Sequence, residues 1–156
     1  MNIKARRRAK KGENLYVNST NEIRATIYGA LAKSEAKKME RDNFYWSYPW
    51  KKTREAVRLR DDSIDVWEYL KTGKEIPGNI VHHIVPRDDD KSLELEMTNL
   101  ITVSAQSHEE IENIYRRCPE EKLKIQRILS DEAKRRTNLF IHGTEEPGMR
   151  EGEHLN

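Results

Sequence analysis

Ile80-Val81-His82-His83-Ile84-Val85-Pro86 is the stretch on which the reading of this chain turns. It is short and β-branched, follows the turn signal Pro77-Gly78-Asn79 and stops at Pro86, which is the pattern of a strand. Successive side chains on a strand point to opposite faces, so His82 and His83 cannot serve one centre by equivalent contacts and should take different roles. Imidazole suits either of two jobs: it is largely neutral at physiological pH, and can bind a metal or accept a proton.

Working outward, residues 88–91 read as a charged loop, and Leu93 and Leu95 predict a brief extended piece. Leu100-Ile101-Thr102-Val103, preceded by Asn99, predicts a second strand. Ser107-His108-Glu109-Glu110 then opens a helix with Ser107 as its N-cap, carrying Ile111, Ile114 and Tyr115 at i, i+3, i+4 spacing. Glu112 lies one helical turn after His108 and faces the same way. Pro119 breaks that helix and fits the first position of the next, whose apolar stripe is Leu123, Ile125, Ile128 and Leu129. The core order is strand, strand, helix.

On the N-terminal side, residues 64–70 predict a short helix stopped by Gly73, and residues 50–60 another. Phe44, Tyr45, Trp46, Tyr48 and Trp50 crowd rings into one stretch, expected to pack a preceding helix against the core, with stacking on bases as the alternative. That preceding helix, from Thr20 to about Arg41, carries Ile23, Ile27, Ala30 and Leu31 at helical spacing. Residues 1–19 read as a disordered basic arm, residues 20–142 as one domain and residues 143–156 as a disordered polar tail.

Composition bounds the function. The single cysteine, Cys118, excludes an internal disulfide, and no apolar run approaches the roughly 18 residues of a membrane span. A basic N-terminus without the apolar stretch of a secretory signal points to the cytoplasm. Residues 1–60 carry 16 Lys and Arg against 6 Asp and Glu, whereas residues 61–156 carry 13 against 21. Such asymmetry suits an arm or face that binds a polyanion, because Lys and Arg displace condensed counterions from nucleic acid.

The residues Val81-His82-His83-Ile84-Val85-Pro86, then Asn99-Leu100, then Ser107-His108 resemble the HNH endonucleases, whose fold is the ββα-metal motif. The resemblance spans about residues 44–115, since Trp50, Arg54 and Arg58-Leu59-Arg60-Asp61 stand where phage-type members have a Trp and an Arg-rich lead-in. It implies that His82 and His108 are metal ligands, that His83 is the general base and that Asn99 braces the loop between the strands. Glu112 could supply a third ligand, as a carboxylate suits Mg²⁺ or Mn²⁺; Zn²⁺ and Ni²⁺ are alternatives. Many relatives also carry two Cys-x-x-Cys pairs that bind structural zinc. Here the second pair's places hold Ser104 and Ser107, and residues 62–67 contain no cysteine, so no structural zinc is expected and apolar packing by Ile64, Val66, Trp67 and Leu70 must replace it.

The expected protein is therefore of the α+β class, a β-hairpin and helix flanked by further helices, hydrolysing DNA with one divalent cation. A phage origin and a place beside a DNA-packaging terminase, in the host cytoplasm, follow from the lead-in's resemblance. The rival readings are a non-catalytic DNA-binding module that keeps the fold and a toxin-like nuclease domain.

Overall fold

The computed structural model describes residues 15–143. The chain divides into two units, Met1–Trp46 and Ser47–Asn156. Among its described residues the first contains one helix, α1 (Leu15–Trp46). It starts earlier than its apolar periodicity suggests and continues through Phe44 and Tyr45, whose rings meet edge to face 5.1 Å apart. Its stripe of Ile23, Ile27 and Leu31 is exposed. Of the expected arm, 1–19, and tail, 143–156, residues 1–14 and 144–156 lie outside the described residues, while residues 15–19 belong to α1.

The second unit contains α2 (Tyr48–Arg60), α3 (Val66–Thr72), β1 (Ile80–His83), β2 (Leu100–Val103), α4 (Ala105–Arg117) and α5 (Pro119–His142). Ser47 caps α2, its hydroxyl accepting from the Trp50 N–H at 3.3 Å, and Pro49 occupies the first turn, where its missing N–H costs nothing. Trp50 is the buried ring of the aromatic stretch; Trp46 and Tyr48 are exposed. Gly73 ends α3 in the left-handed conformation, at φ 71°.

β1 and β2 form an antiparallel hairpin with Ile80 opposite Val103 and His83 opposite Leu100. One face of the pair joins Ile101 and Val103 to a core of Val66, Trp67, Ile84, Ile111, Ile125, Leu129 and Ala133. Strand alternation places His82 with that face and His83 with the other. In place of the extended piece expected at Leu93 and Leu95, Leu93 ends a single 3₁₀ turn, Lys91–Leu93, and Leu95 lies in the turn between it and a second, Met97–Asn99. Asp90 caps the first of them, accepting from the Ser92 N–H and hydroxyl, and this local bonding competes with strand formation.

Two buried carboxylates tie the hairpin to its surroundings. Arg60, part of the Arg-rich lead-in, is buried and forms a double hydrogen bond with Asp61 at 2.9 and 2.8 Å. Its remaining donors reach the Met97 and Leu100 carbonyls and the Thr137 hydroxyl, while Asp61 accepts from the Thr102 N–H. Asp65 caps α3 through the Glu68 N–H and also accepts from the Ser104 N–H at 2.9 Å. Between these carboxylates Asp62 and Ser63 both take positive φ, 54° and 53°, which turns the chain sharply from α2 into α3. Gly78 closes against this turn, donating to the Ser63 carbonyl; a Cβ there would lie 2.9 Å from the Ile64 oxygen and the Thr102 methyl.

Ser104, not Ser107, is the N-cap of α4, accepting from the Ser107 N–H at 3.1 Å. Ser107 is buried inside the first turn, where its side chain bonds Asp65. The places of the absent second cysteine pair are thus held to Asp65 by hydrogen bonds, alongside the apolar packing of Val66 and Trp67. Burial would raise the Asp65 carboxyl, but the Ser104 and Ser107 side chains and the Glu68 and Ser104 N–H groups outweigh it and leave its pKa below the ordinary 3.8. Among the described residues no helix is long and apolar enough to cross a membrane.

Candidate metal centre

The adjacent histidines of β1 face different surroundings. His82, 2% exposed, lies against α4: its ring meets that of His108 at 5.1 Å and 80°, and that of Tyr115 at 5.8 Å. His82 Nδ1 is 3.7 Å from Glu112 Oε1, and His82 Nε2 is buried without a hydrogen-bond partner. His82, His108 and Glu112 each offer a ligand atom, all within 4.8 Å of one another. His108 and Glu112 share one helix face by their i, i+4 spacing, and the Ser104 cap fixes where that face begins.

The donors fit a divalent cation. A buried imidazole nitrogen without a partner forfeits its hydration, and coordination is one way to recover the loss. Burial, with smaller contributions from His108 and His83, pushes the His82 pKa down to about 3, so the ring is neutral and keeps a lone pair at neutral pH. Two imidazoles and a carboxylate form a mixed nitrogen and oxygen set suited to first-row divalent ions. Tyr115, whose hydroxyl donates to the Ile84 carbonyl at 3.0 Å, closes this side; burial and then Glu112 raise its pKa and keep it protonated.

His83 faces α2. Its ring stacks on Trp50, centroids 5.1 Å apart and planes 16° from parallel. His83 Nε2 lies 3.0 Å from the Glu94 carbonyl oxygen. A carbonyl only accepts, so Nε2 carries the proton and Nδ1 the lone pair. Burial lowers the His83 pKa despite the opposing Glu94 carbonyl contact, with Arg87 lowering it further and the Glu94 carboxylate raising it.

Asn99 holds the loop between the strands. Its Oδ1 accepts from the Val85 N–H at 2.8 Å, and its Nδ2 donates to the carbonyls of Val85 and Leu93 at 3.1 and 3.2 Å. His82, His108 and Glu112 are therefore gathered on one side, His83 lies on the other, and Asn99 reaches the backbone that continues from His83. The sequence reading missed Asp65, although Asp65-Val66-Trp67-Glu68 has the cap-to-Glu spacing of a helix start. It also missed Arg87 and Glu94, joined at 2.9 Å through two guanidinium nitrogens, for which the sequence carries no local signal.

No family model and no curated protein matches the chain. Among solved structures it is similar to the manganese-containing HNH endonuclease of the deep-sea thermophilic bacteriophage GVE2. The two are 29% identical with a TM-score of 0.50, and the match covers 55% of this chain and 92% of that one. This similarity supports a nuclease-like function and the binding of a divalent cation.

Proposed function

We propose that this chain, whose fold is of the HNH type, is a metal-dependent DNA endonuclease in which His83 is the general base and His82, His108 and Glu112 hold one cation. The observation that carries the reading is the separation of neighbouring histidines into a metal-capable cluster and a ring held in one tautomer. His83 Nδ1 takes a proton from a water molecule, whose oxygen forms a bond to phosphorus as the bond to the 3′ oxygen breaks. Trp50 and the Glu94 carbonyl keep the ring aimed during that transfer. When bound, Mg²⁺ or Mn²⁺ supplies positive charge that stabilises the departing oxygen. Asn99 keeps the loop carrying Glu94 in register with β1.

The reading extends to a role beside a DNA-packaging terminase, supported by the lead-in around Trp50 and by the phage source of the similar nuclease. Co-purification with terminase subunits tests that extension. The activity itself is tested by plasmid digestion with Mg²⁺, Mn²⁺, Zn²⁺ or Ni²⁺, with and without EDTA. Cleavage should require a cation and should fall on the order of 10² to 10⁴ in His83→Ala, with Mn²⁺ affinity retained. Full activity in that variant reassigns the base, and no cleavage with any cation leaves a DNA-binding module.

A further inference from the structure

The loop between the strands places a single backbone oxygen, that of Glu94, against His83 Nε2. The backbone bonds beside it engage its neighbours, the Glu96 N–H donating to the Leu93 carbonyl at 3.2 Å. The preceding 3₁₀ turn spans three residues, and the Glu94 N–H reaches the Lys91 carbonyl at a long 3.3 Å. Asn99 grips the neighbouring Leu93 carbonyl but makes no bond with Glu94 itself. The Glu94 side chain, however, is seized by Arg87: Nε and Nη2 both lie 2.9 Å from Oε2. The Arg87 side chain is 10% exposed and that of Glu94 28%, so the pair is partly withdrawn from the solvent that weakens surface ion pairs.

We propose that Arg87 and Glu94 form a clasp that positions His83, fixing its ring in the Nε2–H tautomer by holding the Glu94 carbonyl in place. The proposal rests on the nuclease reading only for its catalytic consequence. Arg87 joins the start of the loop to its middle, and the clasp constrains the oxygen opposite His83 through the residue that carries it. Arg87 is thus a positioning residue, acting on the base through Glu94.

The test combines imidazole ¹⁵N NMR of the metal-free protein with single-turnover cleavage at saturating Mn²⁺ and DNA, on wild type, Arg87→Ala, Arg87→Lys, Glu94→Gln and the double variant R87A/E94Q. Wild-type His83 should show the Nε2–H pattern, and R87A and E94Q should each shift it toward a mixture of tautomers. Their rates should fall by about 10- to 100-fold, the loss expected from a misplaced reacting group. The double variant should be no slower than the slower single, because both remove one interaction. R87K, keeping one donor for Glu94, should recover part of the rate, and Mn²⁺ affinity should be unchanged throughout. An unaltered tautomer pattern in R87A overturns the proposal. A slower R87A with normal tautomers and a normal E94Q also overturns it, assigning Arg87 to a DNA phosphate. Should wild type fail to cleave, the nuclease reading falls, while the NMR comparison still decides whether the clasp exists.

Discussion

Trp50 and His83 stack face to face, 5.1 Å between centroids, although they come from different elements, the first turn of α2 and the last residue of β1. The indole is buried, so it serves at once as core and as a wall for the ring it covers. Trp50→Ala should cost about 3 to 5 kcal/mol in urea unfolding, as large aromatic truncations do. Trp50→Phe, which keeps a stacking face, should lose less stability and retain more single-turnover activity. Equal cleavage by Ala and wild type would separate the stack from the chemistry.

Metal affinity should divide the cluster unequally. His82→Ala and His108→Ala should each weaken Mn²⁺ binding by about 10- to 100-fold or more, since even outer-shell partners of metal sites cost that much. Glu112→Ala should have a smaller effect, its carboxylate being far more exposed than the His82 ring and 3.7 Å from it. Calorimetric titration reads all three, and an unchanged affinity removes that residue from the site.

Asp65 gives a pH dependence with a definite sign. Its folded pKa lies below the ordinary 3.8, so the stability it confers is complete above that value and is lost as pH falls through the folded pKa. Asp65→Asn puts an amide donor where N–H and hydroxyl groups already donate, and should cost about 1 to 3 kcal/mol at neutral pH. Thermal unfolding from pH 6 to pH 2 should show the two proteins converging as wild-type Asp65 protonates. A constant gap would place the difference elsewhere.

Much of the second unit was legible because its helices announce their ends. Gly73 and Pro119 mark boundaries with backbone constraints, and Leu100-Ile101-Thr102-Val103 coincides with β2. What was not legible is where charge goes when a partner neutralises it. Arg60 reads as part of a basic run, yet Asp61 beside it and carbonyls distant in the chain allow its burial. Ser107 reads as a cap because it precedes His108, but Ser104 wins that place since Asp65 already holds its N–H. The pairing of His82 with His108 was legible only through the resemblance to the HNH endonucleases, with strand alternation setting His82 apart from His83 and helical spacing adding Glu112. The carbonyl facing His83 depends on a loop conformation that neither period encodes.

The basic N-terminal segment should act on binding rather than on chemistry. Residues 1–14 hold six Lys and Arg, and removing them should flatten the slope of log affinity against log salt by nearly one unit for each phosphate no longer neutralised. Single-turnover cleavage at saturating DNA should stay close to wild type. Filter binding at several salt concentrations measures the first quantity, and an unchanged slope would make the segment a solvated tail.

The joint where Asp65 meets Ser104 and Ser107 consists of carboxylate, hydroxyl and amide groups, none of them a thiol. Oxidants and chelators find nothing there to attack. Stripping divalent ions should therefore leave this corner of the protein assembled, so the proposed nuclease activity can be assayed by mixing protein with DNA in advance and adding cation. Every molecule would then begin together, so the burst that follows would report the chemical step without a folding lag in front of it.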